Sequence, residues 1–365
     1  MTGKKEAGKE EAGKKGTGQN SAGTEHGIEG VRAEPVTRWL CEAIPDLQPP
    51  LVFSLIAGGH SNLTYKFVDA RGEAYVLRRP PLGHVLESAH DMGREHRIVS
   101  ALAGSEVPVA PTYGLCQDPE VNGAPFYVMG YVEGLVLHDS EVASQLVDDE
   151  RDALGAHVID VLARLHLLDP DQVGLGQLGR KEAYLARQLK RWNKQWEASK
   201  THEIPEMEET ARLLEAQMPE QIGASIVHGD YRLGNMIVRG GRILAVLDWE
   251  LCTLGDPLAD VGYLLNSWVQ PGEPGTELIP AVPTAAGGFP TRERLCDRYS
   301  AATGRDLSGI NYYRAFSHWR LAAIGQGVYK RYLVGAMGEN RDMDLDAYKN
   351  SVHQRAAAAL ELLTA

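Results

Sequence analysis

The stretch that most restricts what this 365-residue chain can become is SIVHGDYRLGNMIVRGGRILAVLDWELCTLGDPLAD, residues 225–260. Two apolar runs, Met236-Ile237-Val238 and Ile243-Leu244-Ala245-Val246-Leu247, flank Arg239-Gly240-Gly241-Arg242. That pattern predicts a hairpin closed by a glycine turn. His228, Asp230 and Asn235 stand just before the first run and Asp248 just after the second. The hairpin therefore gathers two carboxylates and an amide at its open end. Such a set can hold a hard cation and leave one carboxylate for proton transfer.

Upstream, Leu51–Ile56 and Leu63–Val68 read as strands around Ala57-Gly58-Gly59-His60-Ser61-Asn62. A strand, glycine turn and strand can be a plain hairpin or a flap over nucleotide phosphates. Gly58 and Gly59 let backbone amides approach an anion, with Ser61 and Asn62 beside them. No G-x-x-x-x-G-K-[ST] occurs, which disfavours a P-loop enzyme, and the Rossmann fingerprint is missing too. A third strand, Ala74–Arg79, ends in two cations, and the helical segment His90–Leu102 carries Glu95 as an ion-pair partner. Further strands at Thr112–Leu115 and Pro125–Met129 run into Gly130-Tyr131-Val132-Glu133-Gly134, a glycine-flanked connector. Beyond it the pattern is helical. Residues 146–168 place Leu154, Val158, Val161, Leu162 and Leu165 on one face, with His157 and His166 nearby as structural residues. The hairpin is followed by Asp256, Asp260 and a helix at Val261–Val269, both aspartates reading as loop supports. Residues 270–288 predict a loop beside the substrate, and helices follow at Arg292–Ala302, Tyr312–Leu333 and Asp344–Leu363.

Composition narrows the partners. Residues 1–30 hold five Lys and five Glu but few large apolar side chains, and are expected to be a disordered tail. The net charge of −12 therefore belongs to the folded body and argues against a nucleic-acid surface. The four cysteines show no C-x-x-C pair, and no run reaches the ~18 apolar residues of a membrane span, so a cytoplasmic setting is expected.

The string H-G-D-Y-R-L-G-N followed by L-D-W-E resembles the aminoglycoside phosphotransferase family, whose members share the protein-kinase-like fold. VLRRPP, HGDYRLGNMIV and LDWELCTLGDPLADVGYLL are most similar to a branch of it, the kinase-like domains found with acyl-CoA dehydrogenases, which phosphorylate hydroxyacyl groups. The resemblance implies a two-lobed α+β fold. A small N-lobe (31–131) would have an antiparallel sheet plus a helix, and a larger, mostly helical C-lobe (132–365) would carry the catalytic loop. It implies ATP and Mg2+ as cofactors and a small-molecule hydroxyl as acceptor. Asp230 would be the base, with Arg232 as a fixed cation beside the transferring group and Asn235 and Asp248 as metal ligands. Arg78, or Arg79 one position on, stands where the family carries a phosphate-gripping Lys, and Glu95 would pair with it. Met129 would border the adenine, with the Gly130 carbonyl and Val132 amide reading its edge. His228 becomes a strut, and Glu250 an outer metal partner or substrate contact. Tyr184, Arg187, Arg191 and Trp192 are acceptor-lining candidates. The departures are Arg78 itself, Asp-Trp-Glu in place of Asp-Phe-Gly, and the lack of an Ala-Pro-Glu segment; they point to small molecules rather than protein substrates. Aminoglycosides or other antibiotics are the alternative acceptors, and a nucleotide-binding pseudokinase is the non-catalytic alternative. The oligomeric state is open.

Overall fold

The computed structural model describes residues 28–57, 62–82, 91–270, 272–273, 282–335 and 344–365. Gly58, Gly59 and Ser61 of the expected flap, residues 1–27 of the expected tail, and 271 and 274–281 of the expected loop lie outside the described residues.

Side chains alternate across a strand, so each strand of the N-lobe has two jobs. Strands β1 (Val52–Ala57), β2 (Leu63–Val68), β3 (Ala74–Arg79), β4 (Thr112–Cys116) and β5 (Phe126–Gly130) form one antiparallel sheet, ordered β1-β2-β3-β5-β4. On one face Tyr65, Phe67, Tyr75, Leu77, Phe126 and Val128 bury themselves against Val36 and Leu40 of helix α1 (Ala33–Ala43). On the other face Val76, Tyr127 and Met129 pack with Met92 of helix α2 (Met92–Leu102). Asp91 caps α2 by accepting from the Arg94 amide at 2.9 Å. The C-terminal part of α2 (Ile98, Val99 and Leu102) joins the large core of the other lobe, so this helix touches both.

After the one-turn helix α3 (Pro119–Asn122) and β5, the C-lobe begins with β6 (Leu135–Val136) and the short helix α4 (Ser140–Ala143). Its core is helical: α5 (Asp148–Leu167), α6 (Tyr184–Ser199), α7 (Pro205–Ala216), α8 (Leu258–Asn266), α9 (Arg292–Thr303), α10 (Ile310–Leu333) and α11 (Leu345–Thr364). Helix α5 buries Leu154, Val158, Val161, Leu162 and Leu165 completely, each contributing about 1.5–3 kcal/mol of apolar burial. His157 accepts the Ile243 amide and His166 meets Tyr299 and Asp260, both structural uses.

The hairpin forms as its pattern predicts. β8 (Met236–Arg239) pairs with β9 (Arg242–Val246) from Met236↔Val246 to Arg239↔Arg242, and β6 flanks β8. Gly240 and Gly241 close it at φ +53° and +72°, backbone that side-chain-bearing residues seldom adopt. A second ladder, β7 (Ser225–Val227) against β10 (Thr253–Gly255), clasps the ends of the segment. The helix expected at Val261 starts at Leu258 instead. Pro257 presets the helical φ before it, and the Asp256 carboxylate accepts the Leu258 amide at 3.0 Å.

Candidate active site

The Met236↔Val246 pair leaves Asn235 and Asp248 just beyond the open end of the hairpin, on its two strands. The Leu247 amide donates to the Asn235 carbonyl at 2.8 Å and keeps that end shut. Asp248 has a left-handed backbone, φ 63° and ψ 64°, which turns the chain into the 3-10 turn Trp249–Leu251. Before β8 the chain makes a tight loop. Gly229, at φ +87°, lies so close to Leu251 that a Cβ there would sit 2.9 Å from the Leu251 carbonyl oxygen. The backbone amides of His228 and Gly229 both donate to Asp260, at 2.6 and 2.9 Å. Asp260 thus takes the bracing position expected of it. Burial alone would raise its carboxyl pKa, but the bond from His166 and the Gly229 amide hold it below the usual range. His228 is fully buried, meets the Leu247 carbonyl at 2.9 Å and lies against Trp249, which suits a strut.

This frame presents Asp230. The Asn235 side-chain amide donates to Asp230 Oδ2 at 2.7 Å and to its backbone carbonyl at 2.9 Å. Arg232 Nε stands 3.3 Å from Asp230 Oδ1 with its side chain partly exposed. The Tyr263 hydroxyl, from α8, also donates to Oδ1. Nothing in the sequence marked Tyr263; its tie to Asp230 spans two separate elements.

The N-lobe closes the site from above. Arg78 Nε lies 3.0 Å from Glu95 Oε1, and Arg78 Nη2 reaches down to Asp248 Oδ1 at 2.7 Å. Burial works against the Arg78 charge, yet Glu95 and Asp248 outweigh it and keep the guanidinium charged. Tyr127 donates to Glu95 Oε1 at 3.0 Å and the Asn62 amide contacts Oε2 at 3.4 Å, so Asn62 is turned inward to the ion pair. Arg79 faces the other way, donating to the carbonyls of Gly30 and Asn122. Of the two cations left open by the sequence, Arg78 is the one in the cleft. Arg94 adds a clasp from α2 to the carbonyls of Leu178 and Cys252. Met129 and Val132 line an apolar wall with Val76 and Ala110, and the Gly130 amide is taken by the Pro111 carbonyl at 2.8 Å.

The donor set suits Mg2+. Asn235 and Asp248 offer hard oxygens, and Mg2+ takes its remaining ligands from phosphates and water. Glu250 adds an orphan: its Oε2 is buried and has no hydrogen-bond partner among the described residues. Burial, and then Asp248 beside it, pushes its pKa up to about 7. A carboxylate oxygen kept from water without a donor fits a place beside a cation. Of the acceptor-lining candidates, Tyr184 is buried against Gly255 and lies near enough to Arg320 for that charge to act on its hydroxyl. Arg187 donates to the Arg180 carbonyl, and Arg191 lies over the Trp192 ring.

Comparison with known proteins agrees with this architecture. The family model described as "Phosphotransferase enzyme family" matches residues 52–297. The chain is 39% identical over 281 residues to acyl-CoA dehydrogenase family member 10 of Mus musculus, covering 76% of this chain and 26% of that protein. It is 35% identical over 309 residues to acyl-CoA dehydrogenase family member 11 of Gallus gallus, covering 82% and 39%. The chain thus spans well under half the length of these curated relatives. Among solved structures, a putative aminoglycoside phosphotransferase from Ralstonia eutropha superposes with a TM-score of 0.77 at 35% identity, over 90% of this chain and 97% of that one. Macrolide 2'-phosphotransferase MphH from Brachybacterium faecium, at 22% identity and a TM-score of 0.56 over 88% and 96%, shares the fold. With its kinase-like two-lobed architecture and the matched span running from β1 into α9, the chain belongs to the phosphotransferase enzyme family.

Proposed function

We propose that the chain transfers the γ-phosphoryl group of ATP to a hydroxyl of a small molecule, and that the acceptor is a hydroxyacyl compound. The observation that carries the transfer is the convergence of Asp230, Asn235, Asp248 and Arg78 where the two lobes meet. The hydroxyacyl acceptor is supported by likeness to chains named as acyl-CoA dehydrogenase family members. On this reading residues 31–131 bind the nucleotide, 132–365 carry the catalytic loop and acceptor site, and the chain works in the cytoplasm. Among the described residues no helix is long and apolar enough to cross a membrane.

ATP with Mg2+, when bound, supplies the phosphoryl group and neutralises its charge. Asn235 and Asp248 would hold the metal, with Glu250 beside it. Arg78 would leave Asp248 and grip the α/β-phosphates while Glu95 keeps it aimed. The expected nucleotide contacts of Gly58, Gly59, Ser61, Met129, Gly130 and Val132 belong to the same proposal; Asn62 serves it through Glu95. Asp230 would accept the proton of the acceptor hydroxyl as that oxygen takes up the phosphoryl group and ADP leaves. Arg232, beside Asp230, would supply a positive charge to the transferring phosphoryl group.

The test is ADP release with Mg2+ and ATP across hydroxyacyl-CoAs, aminoglycosides, macrolides and amino alcohols. Selective turnover of a hydroxyacyl-CoA supports the proposal. Preference for an aminoglycoside, the class in the Ralstonia relative's name, overturns the acceptor assignment. ATP binding with no turnover of any compound overturns the transfer.

A further inference from the structure

We propose that the acceptor carries an anionic group close to its hydroxyl, and that Arg320, with Arg232 and Arg355 as neighbouring cations, receives it. This rests on the phosphotransferase reading and narrows its hydroxyacyl acceptor to a free hydroxy acid or phosphorylated alcohol, since the thioester of a hydroxyacyl-CoA puts no charge beside the hydroxyl. Asp230 divides the cleft. Its Oδ2 faces the Asn235 amide, whereas its Oδ1 faces Arg232 and Tyr263. The second side is where an acceptor would approach, and it is rich in cations.

Arg320 of α10 is the centre of that side. Its Nη2 donates to the carbonyl of Gly229 at 2.9 Å, next to Asp230, and its guanidinium lies 5.3 Å from the Tyr263 ring centroid. Among the described residues its Nε is buried without a hydrogen-bond partner and no carboxylate pairs with it. A guanidinium has five N–H donors in a planar fork that matches carboxylate or phosphate oxygens, so this one holds capacity for an oxyanion. Arg355 of α11 is close enough to interact electrostatically with Tyr263 and with His318. Burial and the charges of Arg355, Arg314 and Arg292 keep His318 neutral, with its pKa down at about 3. Of the carboxylates nearby, Asp248 pairs with Arg78 and Asp230 with Arg232, which leaves Arg320 as the cation of this side with no carboxylate against it among the described residues. A polycationic acceptor would meet repulsion here, while a carboxylate or phosphate would find a half-desolvated Arg.

The experiment is calorimetric titration of the full chain saturated with Mg2+ and a non-hydrolysable ATP analogue, which fills the nucleotide side. The probes are 3-hydroxybutyrate for the carboxylate, inorganic pyrophosphate for the phosphate, and kanamycin for the cation. At least one anion is expected to bind, more weakly at high salt. Its affinity should fall tenfold or more in Arg320→Gln and Arg355→Gln, with partial recovery in Arg320→Lys; which probe binds identifies the anion. The affinity for the ATP analogue and the melting temperature show that each variant is folded, and Arg355→Gln stands in if Arg320→Gln is not. Failure of both anions to bind, binding unchanged in the folded variants, or tighter binding of kanamycin overturns the proposal. Turnover of a neutral or cationic acceptor, unaffected by Arg320→Gln, overturns it while leaving the phosphotransferase reading intact. Arg320-dependent anion binding without turnover of any acceptor supports the anion site and sinks that reading instead.

Discussion

Arg78 Nη2 and Asp248 Oδ1, 170 residues apart in sequence, lie 2.7 Å apart across the cleft between the lobes. The same guanidinium holds Glu95 through Nε, so one side chain joins β3, α2 and the end of the β8–β9 hairpin. An ammonium holds its donors on one nitrogen, whereas the guanidinium fork spreads them over separate nitrogens and so reaches a carboxylate on each side. That gives a physical reason for Arg at this position.

Arg78→Met is expected to destabilise the fold by roughly 3–5 kcal/mol, because it strands the buried Glu95 carboxylate. Pairing the change with Glu95→Gln should restore much of the loss, since no unpaired charge then remains. Urea unfolding of the single and double variants measures this. Equal stability of Arg78→Met and the unmodified chain would show that the pair is not a net support.

Asp230→Asn should lower kcat about 10²–10⁴-fold, the range for loss of a general base. Affinity for Mg·ATP should stay within a few fold, because Asp248 and Asn235 are untouched. Asp248→Asn should do the reverse, weakening Mg-dependent nucleotide binding first. Nucleotide titrations with and without Mg2+, alongside single-turnover rates, separate the two roles. Retained turnover in Asp230→Asn rules out the base assignment.

Asp260→Ala should be costly in two ways. It leaves the amides of His228 and Gly229 unsatisfied in a buried loop and removes the acceptor facing His166. Each stranded donor costs about 1–3 kcal/mol. Asp230 loses its frame, so kcat should fall even below the melting transition. Differential scanning calorimetry and an activity assay on the folded fraction check this, and a variant with native melting temperature and rate refutes it.

His318 predicts an acid limit to stability. Burial, then Arg355 on α11, Arg314 on its own helix and Arg292 on α9, lowers its folded pKa from 6.5 to about 3. The unfolded chain takes up the proton first as pH drops, so this contribution is complete above the unfolded value and is lost toward 3. Between pH 6.5 and 5 the loss is about 2 kcal/mol. Urea midpoints of the unmodified chain and His318→Leu at pH 7 and 5 isolate it; parallel pH dependence in both contradicts the assignment.

The site was legible where its residues lie within one local motif. Asp230, Asn235 and Asp248 are brought together by two strands and a Gly-Gly turn, and strand periodicity with turn chemistry is written along the chain. The resemblance put Arg78 in the cleft and left Arg79 as the shifted alternative. α1 decided it, by covering the face that holds Tyr75 and Leu77 and leaving Val76 and Arg78 to the other. Tyr263 and Arg320 were not legible at all. They reach the catalytic loop from α8 and α10, elements 33 and 91 residues from their partners. By itself, then, the sequence determined the hairpin that gathers Asp230, Asn235 and Asp248, because turn chemistry and period-two burial are local, and the fold class followed from the resemblance that those motifs carry. Only the tertiary structure decided which cation enters the cleft and which side chains flank Asp230. Those choices depend on how amphipathic faces pack against one another, and no short stretch of chain carries that information.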